Sequence, residues 1–367
     1  MIRKLFVTSA LVLAFGSFLG NTIVHAQLAP SASQSLTALR PFWLVDSYAE
    51  QMSAGGSHTC MVNTCGDVQC WGRNNYGQGS PPPGTFVQVA AGAYHTCGLK
   101  TDGTVTCWGD NRYNQRVVSS QYRFRSIEAG TYHTCGVSTT GATQCWGYNG
   151  DNRATPGGLI ANETVLDVAA GDAHSCAVLS FPWGNDIACW GLDNYGQVNN
   201  VPPTQNPIVD EHLAVTTGSR HSCSRSRTGE IHCWGNDSYG QSSGVGFEPS
   251  QPNTAWAVEE SPGLFLHSGF YDFFDVSAGD WHTCALGDNL GVNNARCWGY
   301  NGSGRTSPPV GTFIDVEAGG GHSCGIRDDG TVACWGSNIY GQASPPSLPG
   351  TCSLLRPLQT SPTLKLP

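Results

Sequence analysis

Two short motifs recur seven times in fixed order along this chain, and any fold it adopts has to house them as a repeat. His-Thr/Ser-Cys ends at Cys60, Cys97, Cys135, Cys176, Cys223, Cys284 and Cys324, and Cys-Trp-Gly begins at Cys70, Cys107, Cys145, Cys189, Cys233, Cys297 and Cys334. From one His of the motif to the next the intervals are 37, 38, 41, 47, 61 and 40 residues. A period near 40 made of short strands is the signature of a propeller or solenoid, in which each unit buries its apolar face against its neighbours.

One unit can be read physically. Phe86-Val87-Gln88-Val89-Ala90 is a short β-type run (strand a), His95 to Leu99 a second (b), and Thr104 to Trp108 a third (c). Thr101-Asp102-Gly103 is a tight hairpin signal with Gly where a positive φ is needed. A three-residue loop pairs Lys100 with Thr104 and places Cys97 opposite Cys107, Thr96 opposite Trp108 and His95 opposite Gly109. Nine residues separate the two Cys in five of the seven units. Opposed Cys on antiparallel strands are close enough to bridge. The spacing therefore predicts seven intra-blade disulfides: 60–70, 97–107, 135–145, 176–189, 223–233, 284–297 and 324–334. Cys65 and Cys352 are left over and are expected to pair, latching the first unit to the tail, with two free thiols as the alternative. Alternation puts His and Cys on one face of the blade and Trp on the other, where it fills the space between blades while Gly leaves room for the imidazole.

The context is set by the start of the chain. Met1-Ile2-Arg3-Lys4 precedes an apolar run from Leu5 to Leu19 and then Val24-His25-Ala26, the layout of a secretory leader over 1–26 cleaved before Gln27. A membrane anchor is the competing reading. The run is short and interrupted by Thr, Ser and Gly, which favours cleavage, so no membrane insertion is expected of the mature chain. With 18 Lys+Arg against 27 Asp+Glu, loss of the leader's two basic residues takes the net charge to −11. An acidic chain of this kind argues against nucleic acid or anionic membrane partners. Sixteen Cys behind a leader argue for disulfides in an extracellular or periplasmic compartment. Cys-x9-Cys across a hairpin is not a zinc spacing.

Taken in order, 27–48 is a polar N-terminal segment with a candidate extra strand at Phe42-Trp43-Leu44-Val45, and 49–352 is the repeat domain. Strand a opens the units at 49–55, 86–92, 124–130, 165–171, 212–218, 273–279 and 313–319. Polar loops such as Arg73-Asn74-Asn75-Tyr76-Gly77-Gln78 come after Cys-Trp-Gly, and units two, three and six are degenerate there. A fourth, weaker strand d is expected within the Pro-rich linkers that come next. The b–c hairpin is three residues longer in units four and six, 242–272 is an insertion holding Trp256, Phe265, His267, Phe270 and Tyr271, and 353–367 is a tail.

The pattern Val-Ala-Ala-Gly-x-x-His-Thr-Cys…Asp-Gly-x-Val-x-Cys-Trp-Gly-x-Asn-x-Tyr-Gly-Gln resembles the repeat of the regulator-of-chromosome-condensation family, over roughly 49–345. The resemblance implies an all-β, seven-bladed propeller, in agreement with the count of units. The leader, the Cys pair in each unit and the lack of a basic tail depart from the nuclear member, so nucleotide exchange at chromatin is not carried over. The chain is more similar in type to secreted relatives, the propeller-type β-lactamase inhibitor and the crinkly repeats of plant receptor ectodomains, which act by binding proteins.

Seven His, one per unit, invite a metal ring. Identical placement in every repeat favours a structural role instead, each His bonding a backbone group inside its own blade. No His-Glu-x-x-His, Gly-x-Ser-x-Gly or P-loop is present, and neither an enzymatic activity nor a cofactor is expected. Asn162, Asn236 and Asn301 sit in glycosylation sequons. Positive support is for binding. In Ala-Gly-x-x-His the two x positions vary freely while their flanks do not, and they form the a–b loops on one face around the channel. The candidate ligand-binding residues are Tyr94, Tyr132, Asp172, Arg220, Asp280 and Trp281, types that anchor interfaces. Tyr76, Tyr195, Tyr239 and Tyr340 would flank them, and the 242–272 insertion is the runner-up site. The expected function is recognition of an extracellular or cell-envelope protein, inhibition of a secreted hydrolase being one form of it. The alternative is a lectin-like propeller that binds glycan on Trp and Tyr platforms.

Overall fold

The computed structural model describes residues 52–157, 160, 163–202, 211–243, 272–289 and 292–347. The leader, the N-terminal segment, most of the insertion, the tail with Cys352, and Asn162 lie outside the described residues. The described chain forms seven antiparallel sheets of three strands, each ordered a–b–c, as the repeat count requires of a seven-bladed propeller. In the second blade these strands are Phe86–Ala91, His95–Lys100 and Val105–Gly109. The register is the one the hairpin loop dictates, with Cys97 opposite Cys107, Thr96 opposite Trp108 and His95 opposite Gly109. It brings all seven intra-blade disulfides together. Cys65 is also disulfide-bonded, and Cys352, its expected partner, lies outside the described residues.

Among the described residues the fourth strand expected in the linkers is absent from the seven sheets. The Gly of each Cys-Trp-Gly takes a φ between 94° and 110°, which turns the chain out of the ladder. At Gly109 a Cβ would stand 2.7 Å from the Tyr94 carbonyl oxygen and 2.9 Å from His95 Cα, so the missing side chain makes room for backbone rather than for the imidazole. The chain next enters a braced turn. Gln78 Oε1 accepts from Tyr76 N at 2.9 Å and Asn74 Oδ1 from Gly79 N at 2.8 Å. The second unit, degenerate by sequence, builds the same turn with Asn114 at φ 63° in place of Gly and with Gln115 bonded to Tyr113 N. The third and sixth put Arg153 and Arg305 where the others have Gln.

The core lies between blades. Cys60 and Val62 of the first blade pack on Phe86, Val89 and Trp108 of the second, and Met52, Met61 and Trp71 pack on Cys324 and Ile326 of the seventh. Each indole N–H donates to the turn of the preceding blade. Trp108 reaches the Gln78 carbonyl at 2.8 Å, Trp190 the Arg153 carbonyl at 2.9 Å, and Trp71 the Gln342 carbonyl at 2.8 Å.

The histidines are structural, but their partners are not inside their own blades. Each Nε2 meets the Thr or Ser hydroxyl of the next blade at 2.7–2.8 Å, from His58 with Thr96 round to His322 with Thr59. Thr96 Oγ1 in turn donates to the Gln78 carbonyl at 2.9 Å, and Ser175 to that of Arg153 at 2.9 Å. A hydroxyl has one proton, so where it goes to the carbonyl the imidazole must be the Nε2–H donor. Nδ1 is then an unprotonated lone pair, and in all seven it is buried without a partner. Each ring lies over the Gly of Ala-Gly-x-x-His. A Cβ on Gly92 would stand 2.6 Å from His95 Cε1 and would also run into the Gly130 carbonyl oxygen of the next blade.

These contacts make the ring sensitive to acid and to loss of the hydroxyl. Burial pushes His58 and His174 down to about 3 and His95, His221 and His322 to about 4, and holds His133 and His282 well below 6.5. The unfolded chain therefore binds protons from about pH 6.5 downward that the folded chain refuses until about pH 4. Stability, complete above pH 6.5, falls as the pH drops through that window, by up to about 1.4 kcal/mol per pH unit for each His. Melting followed by circular dichroism between pH 7.5 and 4.5 should show a steep fall. At the junction of the second and third blades, Thr134→Val strands His95 Nε2 without its hydrogen-bond partner and should cost about 1–3 kcal/mol. Thr134→Ser, which keeps the hydroxyl as three other blades do, should melt almost as the parent.

Candidate functional site

Strand direction sends the a–b loops and the turns after Cys-Trp-Gly to the same face, and ring contacts between them show that they meet there. Tyr76, in the turn of the first blade, stands edge-on to Tyr94 of the second at 5.7 Å. Tyr94 stacks on Tyr132 at 5.4 Å and 21°, and Tyr132 stands edge-on to Tyr113 at 5.4 Å. Tyr113 continues to Tyr148 at 4.8 Å. A second arc begins where the Arg220 guanidinium lies 5.1 Å from the rings of both Tyr195 and Trp281, with Nη1 donating to the Tyr195 hydroxyl at 2.8 Å. It runs on from Trp281 through Tyr239, at 5.6 Å, to Tyr300 at 4.9 Å. The tyrosines of the turns are 37–49% exposed, while those of the a–b loops are half-buried beneath them.

Of the six residues expected to bind, four thus belong to the arcs: Tyr94 and Tyr132 to the first, Arg220 and Trp281 to the second. Asp172 and Asp280 do something else. They stand at the channel mouth, where the walls are otherwise glycines and alanines of the hub with Thr131 and Thr217. Backbone bonds tie these tips together, from Asp172 N to the Gly218 carbonyl and from Asp280 N to that of Gly319, each at 3.3 Å. The Asp280 carboxyl leans over Gly320, where a Cβ would come within 2.9 Å of Oδ2. Burial, joined by the charge of Asp172 and opposed by Arg305, raises its pKa to about 6.

Sequence reasoning missed several members of the belt. Tyr113 belongs to a turn that reads as degenerate, although Tyr-Asn-Gln with Asn at a left-handed position is a legible signal. Tyr148 and Tyr300 directly follow Cys-Trp-Gly in the two blades that use Arg for Gln, and those arginines lie 4.8 Å and 4.9 Å from their rings. Arg73 is the largest omission. Its guanidinium lies 5.2 Å from the Tyr340 ring, 5.4 Å from Tyr94 and 6.0 Å from Tyr76, across two blade junctions that a single unit cannot reveal.

The opposite face carries the b–c hairpins, and in the lengthened hairpin of blade four Trp183 is 69% exposed and stacked on Phe181 at 5.3 Å. Among the described residues no three His, Cys, Asp or Glu come together to hold a metal ion, and no helix is long and apolar enough to cross a membrane. Asn236 is buried, its Oδ1 accepting from Gln241 and Ser238, whereas Asn301 is exposed, so of these two sequons only the latter is open to glycosylation in the folded protein.

Comparison with known proteins agrees with this architecture. The family model for the regulator of chromosome condensation (RCC1) repeat matches residues 49–78, 86–115, 213–241 and 313–342. These are units one, two, five and seven. The other three carry the Arg turns or the longer hairpins. No curated protein matches the sequence. The ectodomain of the Physcomitrella patens receptor kinase CR4 is similar in structure, with a TM-score of 0.58 and 22% identity over 78% of this chain and 72% of that one. The CRINKLY WD40 ectodomain of the Arabidopsis thaliana receptor kinase ACR4 gives 0.57 and 22% over 79% and 96%. Yeast RCC1 (Prp20), solved bound to Kap60, gives 0.54 and 17% over 73% and 78%.

The channel mouth yields its own test. Asp280 is protonated up to about pH 6 in the folded protein against 3.8 unfolded, so its contribution to stability is full at low pH and lost as the pH rises through 6. Asp280→Asn should raise the melting temperature at pH 7.5 and leave it almost unchanged at pH 4.5. Asp172→Asn should move the Asp280 titration downward in a carboxyl-detected NMR series.

Proposed function

We propose that this RCC1-like repeat propeller is a secreted, non-enzymatic binding protein whose a–b face recognises an extracellular or cell-envelope protein. The observation that carries the reading is the belt itself, in which aromatic rings and arginines from neighbouring blades stand half-exposed around a channel mouth. Aromatic side chains and Arg on a preorganised surface lose little entropy on binding and dominate interface energetics. The turns that present them are braced, with Asn or Asp side chains bonded back to the loop backbone, as Asn74 is to Gly79 and Asn338 to Ala343. Seven disulfides and the leader-like start of the sequence support an oxidising compartment. The yeast neighbour bound to Kap60 is an instance of this fold meeting a protein partner. Inhibition of a secreted hydrolase is the finer form of the proposal. A glycan reading draws on Trp183, a flat exposed platform on the other face.

Pull-down from extracellular extracts, with a glycan array beside it, separates the two readings. For a protein captured this way, Trp281→Ala and Tyr132→Ala should each weaken binding by about 2 kcal/mol, roughly thirtyfold, with little change in melting temperature. Trp183→Ala should bind as the parent does. Normal binding by the first two with loss in the third would move the site to the hairpin face.

A further inference from the structure

We infer that Arg73 is a carboxylate-binding residue, and that with Arg220 it makes the a–b face selective for an acidic segment of a partner polypeptide. The inference rests on the binding-face reading and adds to it the chemistry of the partner.

The arginines of this face divide by what holds them. Arg112 forms an ion pair with Asp110, its Nε lying 3.0–3.1 Å from both carboxylate oxygens. Arg153 pairs with Asp151 and donates to the Gly150 carbonyl, and Arg305 donates to those of Gly302 and Gly320. These side chains are committed to the scaffold. Arg73 has no ion pair among the described residues, and its guanidinium is held by the faces of three tyrosines. Its Nε is buried without an acceptor, boxed in by the rings. The outer nitrogens make no hydrogen bond among the described residues. Arg220 repeats the arrangement between Tyr195 and Trp281, and among the described residues its one side-chain hydrogen bond goes to a neutral hydroxyl.

A guanidinium clamped on aromatic faces has its rotamer set in advance and presents its N–H edge outward. That is the geometry a carboxylate accepts in two parallel bonds. The surrounding rings lower the local dielectric and strengthen such a pair. The a–b loop tips of the first and seventh blades, Gly56-Ser57 and Gly320-Gly321, carry the smallest side chains on the face, and Arg73 N bonds the Ser57 carbonyl at 2.9 Å. A polyanion such as a sulfated polysaccharide fits less well. It needs a continuous basic track, whereas Arg73 and Arg220 stand in separate aromatic arcs with Asp172 and Asp280 at the mouth between them.

Selection of random short peptides displayed on phage against the immobilised full-length protein tests this. Enriched peptides should carry Asp or Glu, and their affinity should fall about tenfold or more in Arg73→Met and in Arg220→Met. Arg112→Met, which removes a guanidinium already paired, should leave affinity unchanged. Should Arg73→Met melt early, Arg73→Lys takes its place and should lose several-fold, because the charge stays and the planar fork goes. Enriched peptides free of acid, or binding indifferent to both Arg73 variants, would overturn the inference. So would no enrichment over an unrelated protein, or retention on heparin that is lost in Arg73→Met. Neutral peptides whose binding fails in Trp281→Ala would sink this inference alone and leave the binding face in place.

Discussion

The structure hangs on the hydrogen bond between a buried neutral imidazole and the hydroxyl of the next blade. It occurs at every junction and closes between His322 and Thr59, so the ring is joined by the same contact that joins its members. It is possible only because three other groups are in place. The hub Gly gives up its side chain to the ring, the Gln or Arg carbonyl takes the hydroxyl proton, and the Trp indole shares that carbonyl. A buried polar network of this kind has value only when satisfied, and its unpaired Nδ1 atoms make it intolerant of protonation. One residue type, repeated for packing, thereby sets the acid limit of the whole domain.

The absent fourth strand belongs to the same economy. Among the described residues strand c is the outer edge of each blade, paired with strand b alone. A disulfide from the opposed Cys of strand b ties that edge down, and the turn that would have led into strand d offers its carbonyl to the neighbouring blade instead. Edge strands that are short and covalently held are poor templates for misassociation.

Much of the blade was legible because its constraints are local. A Thr-Asp-Gly hairpin and two Cys nine residues apart determine register, and register determines which side chains share a face. What could not be read is what crosses a junction. His95 meets Thr134, Arg73 meets Tyr94 and Tyr340, and Asp280 feels Asp172, pairs a blade or more apart whose relative placement no single unit contains. The histidines were rightly read as structural and wrongly partnered for this reason. The expected strand d is absent from the described sheets, where the chain after the Gly folds into a braced turn whose carbonyl goes to the neighbouring blade's indole. Four of the six proposed site residues join the aromatic arcs. The two aspartates were expected to be surface anchors, but one of them is half-buried and titrates near 6 as part of the channel mouth.

The division between scaffold and site also explains why the variable positions can vary. The side-chain bonds that repeat at every junction use atoms outside the two x residues of Ala-Gly-x-x-His: the His, the hydroxyl after it, the Trp indole and a main-chain carbonyl. The backbone of the x residues is engaged, as in the bonds from Asp110 N to the Tyr94 carbonyl and from Asp172 N to the Gly218 carbonyl, but their side chains take no part in the His-hydroxyl network. A Gly, Tyr, Asp or Trp can sit there without disturbing the His-hydroxyl network, although Asp280 at neutral pH carries the cost of a buried charge. The turn tyrosines are freed likewise, because their N–H groups rather than their rings hold the Gln side chain. Where the scaffold does reach for a side chain on this face, it takes Arg153 and Arg305 and leaves Arg73 and Arg220 unpaired by any carboxylate among the described residues. A fold that closes through main chain and a constant His-hydroxyl pair can change its recognition surface while its closing contacts stay the same.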